Sequence, residues 1–89
     1  MSGVDVRLPA TLPPLFPGLP RRLDLEVGSV AVAFAVLDER WPGLRDRLCE
    51  PGPRLRPHIV VYVDGERAGL ETRLAPGQRL DVVAAISGG

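Results

Sequence analysis

The sequence contains no lysine: all eleven of its basic residues are arginine. Without an ε-amino group the chain offers no internal isopeptide acceptor, which excludes chain-building onto itself through lysine. A GC-rich genome, which favours Arg codons together with Ala, Gly and Pro, accounts for this bias more simply than a functional cause. Cysteine is nearly missing as well. Cys49 stands alone, so no intramolecular disulfide can form and a secreted disulfide scaffold is excluded. His58 is the single histidine, and with one cysteine and no second histidine at ligand spacing, a zinc site lacks its residues. Net charge is absent too. Eleven acidic residues balance the eleven basic ones, leaving no overall field to draw the chain to nucleic acid or to an anionic membrane. The longest apolar run, Val30 to Leu37, is too short to span a bilayer, and the N-terminal stretch has no apolar signal core. These absences point to a cytoplasmic protein with neither nucleic acid nor membrane as partner.

What remains is an ordinary folding composition, 45% hydrophobic and 25% charged over 89 residues, enough for one modest core. The expected organisation is a single domain over 1–86 followed by a short tail, 87–89. Val4, Val6 and Leu8 alternate with Asp5 and Arg7, the period of a half-buried strand. Thr11 to Pro20, rich in proline, reads as a loop. Leu23, Leu25 and Val27 alternate again, which makes an opening hairpin with a long connection. Ser29 is a candidate N-cap, and Val30, Phe34, Leu37 and Trp41 recur at helical spacing before Pro42-Gly43 stops the run. On this reading Trp41 lies in the core under the helix. A short helical turn is expected over Leu44 to Leu48, then a loop through Pro51, Gly52, Pro53 and Pro57. His58 to Val63 is the most strand-like segment, and Asp64-Gly65 a reversal after it. Glu71 to Leu74 reads as a short edge piece, and Arg79 to Ile86 as the last strand. The sum is an α+β domain of β-grasp type, one main helix packed on a mixed four- to five-stranded sheet with its first and last strands adjacent and parallel.

The order of elements, the turn at Asp64-Gly65 and the terminal Gly88-Gly89 together resemble the MoaD/ThiS family of ubiquitin-like bacterial sulfur carriers. The likeness rests on Glu39-Arg40-Trp41-Pro42-Gly43-Leu44, on Leu55-Arg56-Pro57-His58 and on Val61-Tyr62-Val63-Asp64-Gly65-Glu66. It continues through Leu70, Thr72, Leu74 and Gly77 to Ile86-Ser87-Gly88-Gly89. The length suits the molybdopterin-synthase small subunit and the cysteine-biosynthesis carriers better than the shorter thiazole carriers. Two features depart from the family: Val32 and Val36 would sit exposed on a helix face that is usually charged, and Asp64 stands where Asn is frequent. Asp and Asn both tolerate left-handed backbone, so the second departure is mild.

The resemblance implies a protein co-substrate that is not itself an enzyme and binds no cofactor. An E1-like adenylyltransferase would use ATP to adenylate the carboxylate of Gly89. A sulfur donor, a cysteine desulfurase or a rhodanese-type protein, would then convert the acyl-adenylate to a thiocarboxylate. The acceptor would be an enzyme such as the molybdopterin synthase large subunit or a cysteine synthase. Ser87, Gly88 and Gly89 form the tail, and Gly-Gly suits it because the absence of Cβ lets the chain thread a narrow site. By composition alone a terminal glycine pair arises in about one of a hundred such sequences, so its weight comes from the pattern it is attached to.

Docking beside the tail needs a surface. Val83 and Ala85 lie opposite Leu80 and Val82 in side-chain period, and Val60 and Tyr62 are expected to share their face as an exposed apolar patch. Cys49 has no adjacent base or CxxC pattern and reads as a structural thiol. Asp38 with Glu39, and Glu66 with Glu71, read as surface acidic pairs. Two alternatives share the fold: a modifier joined through Gly89 to lysines of other proteins, and a binding module with no reaction at the tail.

Overall fold

Apolar residues recur at every second position in the strand-like segments and at helical spacing in one, and the computed structural model, which describes residues 3–85, folds them accordingly. Strands β1 (Val4–Arg7) and β2 (Arg22–Leu25) form the opening hairpin, with Val6 opposite Leu23. Helix α1 (Val30–Arg40) and the short α2 (Leu44–Leu48) follow, then a ribbon of β3 (Cys49–Glu50) and β4 (Arg54–Leu55). Strands β5 (Ile59–Val63), β6 (Glu66–Ala68) and β7 (Arg79–Ala84) complete a five-stranded sheet in the order β2-β1-β7-β5-β6. β1 and β7 run parallel through its middle, Val6 beside Leu80, while the other pairs are antiparallel. This is the β-grasp arrangement.

Strand parity decides which residues leave water. Val4 and Val6, Leu25, Leu80 and Val82, and Ile59, Val61 and Val63 are all buried on one face of the sheet. Val30, Ala33, Phe34 and Leu37 of α1 join them in one cluster, which Leu44 and Leu48 of α2 extend. α1 starts at Ser29, whose extended backbone lets its hydroxyl accept from Val32 N at 3.1 Å. The donors of Val30 and Ala31 reach the carbonyls of Thr72 and Leu70 at 3.1 and 3.0 Å, so a passing loop satisfies the rest of the helix start. Pro42 and a left-handed Gly43 (φ +95°) end the run.

Several expectations need correction. Glu71 to Leu74 is not an edge strand; the edge is β6, paired directly with β5 across the turn, and residues 71–74 instead hold the start of α1, through a bridge between Arg73 and Ser29, Thr72 O accepting from Val30 N and Leu74 N donating to Gly28 O. The loop through Pro51 and Pro53 closes the β3-β4 ribbon. The Thr11 to Pro20 connection includes a single 3-10 turn, Pro13–Leu15, and buries Leu12 and Leu19 in the core. Trp41 does not lie under α1. It is half-buried at the helix C-cap, where its indole Nε1 donates to Pro17 O at 3.3 Å and fastens that connection. On the outer face of α1, Val32 is exposed while Val36 packs against the core, so only the first is free as expected. Ile86, Ser87, Gly88 and Gly89 lie outside the described residues.

Candidate partner-binding face

Residues that alternate with the core set must point to the other face of the sheet. On β5 these are Val60 and Tyr62, both half-buried; on β7 they are Arg79, Asp81 and Val83. Strand register then decides neighbours. Val60 stands opposite Val83, whereas Tyr62 stands opposite Asp81 on one side and Arg67 of β6 on the other. Arg7 lies beside Asp81, and Arg22 beside Arg7, so a charged row of Arg22, Arg7, Asp81, Tyr62 and Arg67 crosses all five strands. Val83, 41% exposed, and Val60 form the next row toward the end of β7. Ala85, also exposed, comes after them, its N–H donating to His58 O at 2.6 Å.

The structure thus brings Val60, Tyr62, Val83 and Ala85 to one face, and makes that face mixed rather than uniformly apolar. The apolar half lies at the end of β7 from which the chain continues. The charged half lies behind it. Asp5 accepts from Arg7 at 3.1 Å and from Arg22 at 3.2 Å through both its oxygens, and Asp81 accepts from Arg79 at 2.9 Å. Partial desolvation of Asp5 opposes its charge, but the hydrogen bonds and charges of Arg7 and Arg22 outweigh this and hold its carboxyl below the ordinary value of 3.8. The charged row was out of reach of sequence parity, because it exists only through the pairing of strands distant in the chain.

The remaining titratable candidates are placed differently. Burial pushes the Cys49 thiol above its ordinary value, with Arg45 and Arg56 opposing, and the side chain is only 7% exposed in the core, as suits a structural residue. His58 sits exposed just before β5. Asp38 has a role the sequence did not suggest: its Oδ1 accepts from Gly43 N at 3.1 Å and Arg45 N at 3.0 Å, capping α2 across the Pro42-Gly43 corner. Among the described residues no cluster of His, Cys, Asp or Glu could hold a metal ion, and no helix is long and apolar enough to cross a membrane. The predicted tail residues Ser87, Gly88 and Gly89 are outside the described region.

Comparison with known proteins adds to this geometry. The model of the ThiS family matches residues 15–89. No curated protein sequence matches significantly. Among solved structures, a chain of the Amycolatopsis orientalis BexX/CysO complex is similar at TM-score 0.82 and 27% identity, over 97% of this chain and 99% of that one. SAMP1 from Haloferax volcanii is similar at 0.79 and 28%, over 98% and 99% respectively. Mycobacterium tuberculosis CysO shares the fold at 0.81 and 24%, over 93% and 99%.

Proposed function

The chain belongs to the ThiS family, and from that membership we propose that it carries sulfur on the carboxylate of Gly89. It is a ubiquitin-like sulfur carrier or modifier. In the carrier reading an E1-like adenylyltransferase joins the Gly89 carboxylate to the α-phosphate of ATP and pyrophosphate leaves. A persulfide on a donor of cysteine desulfurase or rhodanese type then attacks the acyl carbon and AMP departs, and a second thiol cleaves the resulting acyl disulfide, being oxidised to a disulfide as the thiocarboxylate is released. An acceptor such as the molybdopterin synthase large subunit or a cysteine synthase takes that sulfur. The similarity to a chain of a two-protein assembly, BexX/CysO, supports a carrier that works while docked to another protein.

The observation that carries the reading is the family match itself, which runs through Gly88 and Gly89, three residues beyond the strand that borders the apolar half of the face. A thiocarboxylate held on such a chain is a tethered nucleophile, positioned by docking instead of by diffusion. The second reading is conjugation to lysines of target proteins. It is favoured by the similarity to SAMP1, a small archaeal modifier protein. This chain, having no lysine, would not be a target of itself.

The test is ATP–pyrophosphate exchange by the activating enzyme of the same cell. Gly89→Phe should lower exchange by about 100-fold or more, because a bulky terminal side chain displaces the carboxylate from the phosphate. Far-ultraviolet circular dichroism of the variant should match the parent. Unchanged exchange in that variant would contradict activation at Gly89.

A further inference from the structure

β2 is an edge of the sheet, and alternation decides what that edge presents. Leu8 N–H donates to Arg21 O at 2.7 Å, and Asp5 N–H donates the other way, to Gln78 O at 2.9 Å just before β7. Opposite residues in an antiparallel pair alternate between exchanging both backbone bonds and exchanging neither. Leu23 and Leu25 therefore bond to Val6 and Val4, and the N–H and C=O groups of Arg22 and Asp24 point away from β1. Both residues are exposed, with side chains on the outer face, while the half-buried Leu23 lies on the core face. The charge is unsettled in one place. Asp24 stands directly opposite Asp5, like charge against like, and has no hydrogen bond or ion pair among the described residues, while Arg7 and Arg22 both turn to Asp5.

A second copy of the same edge supplies what this one lacks. Two β2 strands meeting antiparallel about a two-fold axis at Leu23 set Arg22 of each copy opposite Asp24 of the other. The outward backbone groups of Arg22 and Asp24 then exchange both their hydrogen bonds across the joint, and Leu23 meets Leu23 in a closely spaced pair on the core side. Other centres fail. An axis at Arg22 or at Asp24 opposes like charges, and one at Leu25 sets Asp24 against Glu26. An axis between two residues would pair outward groups with groups already bonded to β1. β6, the other open edge, is three residues long with Arg67 in the middle, so symmetric pairing there sets guanidinium against guanidinium.

We propose that β2 pairs with β2 of a second copy of this chain, antiparallel and centred on Leu23, joining two five-stranded sheets into one. The guanidinium of Arg22 holds Asp5 of its own chain through Nε and Nη2 and has donors left for Asp24 of the second copy. Charges on an edge strand ordinarily keep sheets apart. Here they alternate in sign at the spacing that lets an antiparallel copy neutralise them. β1 lies between β2 and β7, so the surface beside the chain end stays open in both copies. A four-residue strand buries little area, and the pair is accordingly weak, populated from about 0.1 to 1 mM. The assignment does not use the reading of Gly89.

The experiment is sedimentation equilibrium of the full chain from about 0.02 to about 1 mM. The parent mass should rise from 9.6 kDa toward twice that value across the range. Asp24→Arg removes the like-charge pair with Asp5 inside one chain and opposes Arg22 across the joint. Its thermal midpoint should equal or exceed the parent's, which checks the fold, while the dissociation constant of the pair rises about tenfold or more. Adding Arg22→Asp exchanges the two charges and restores the match across the joint, so association should return to within about threefold of the parent. Hydrogen exchange reads the register: at about 1 mM the amides of Arg22 and Asp24 should exchange about twofold or more slowly than at about 0.02 mM, with the amide of Leu23 unchanged. A parent that stays at 9.6 kDa up to about 1 mM overturns the assignment. Association that Asp24→Arg leaves unchanged, or that the double variant does not recover, overturns it as well, since either result places the contact elsewhere. Slowed amides confined to β6 overturn it in favour of the other edge.

Discussion

Asp64 carries more of the sheet than its place in a two-residue turn suggests. Its φ of +50° and that of Gly65 at +86° put both turn positions in the left-handed region, as a tight hairpin between right-twisted strands requires. Its carboxylate also reaches across to the next element: Oδ1 accepts from Arg79 N at 2.9 Å and Oδ2 from Gln78 Nε2 at 3.2 Å. Both features suit Asn nearly as well, since Asn tolerates the left-handed region and keeps an acceptor oxygen. Asp64→Asn should accordingly be close to neutral, while Asp64→Ala should cost about 1–2 kcal/mol by losing the acceptors and forcing Ala into positive φ. Denaturant midpoints with unchanged slope check both, and equal stability of the two variants would show that the bridge to Arg79 contributes nothing. The Asp64-Gly65 turn was legible from the dipeptide. Its bond to the start of β7 was not, because fourteen intervening residues separate Asp64 from Arg79 and no local pattern says which strand returns beside the turn.

At the scale of elements, legibility followed periodicity. α1 was readable from the spacing of Val30, Phe34 and Leu37 and from the Ser29 cap, and the structure keeps both. The strands β1, β2, β5 and β7 were readable from alternation, because period two is a local property of the chain. β6 was missed because Glu66-Arg67-Ala68 has no apolar alternation; its pairing with β5 comes from the turn. The β3-β4 ribbon was hidden for a similar reason, with two residues on each side and prolines between. Trp41 was misplaced because helical spacing extends a face past the point where the helix stops. Its actual position makes it the link between α1 and the long proline-rich connection that supplies Leu12 and Leu19 to the core. Trp41→Phe should cost about 1 kcal/mol through the lost bond to Pro17, and Trp41→Ala about 2–3 kcal/mol through the lost packing as well. Equilibrium unfolding measures both; equal losses would mean that the ring contributes no packing beyond its hydrogen bond.

The whole molecule separates two tasks by sheet face. One face is committed to α1 and α2 and supplies the core. The other carries an apolar row and a charged row, and β7, which contributes to both faces, leads from the middle of the sheet toward the glycine pair. Which side chains share the outer face followed from parity alone. That Val60 meets Val83 required the antiparallel pairing of β5 with β7, and that Arg7 stands between Arg22 and Asp81 required both the opening hairpin and the parallel pairing of β1 with β7, which joins the two ends of the sheet-forming sequence. On the proposed carrier reading, the tasks of the molecule are to fold stably, present a surface and deliver a terminus.

The central claim is therefore chemical and sits at Gly89. Its most direct test is the intact mass of the chain recovered untagged from its native cell, where the activating enzyme is functional and the downstream acceptor is blocked. The account predicts an added mass of about 16 Da from replacement of oxygen by sulfur, which fragmentation places in the C-terminal peptide and separates from oxidation of Met1 or Cys49. A plain carboxylate on Gly89 in every molecule under those conditions would contradict it.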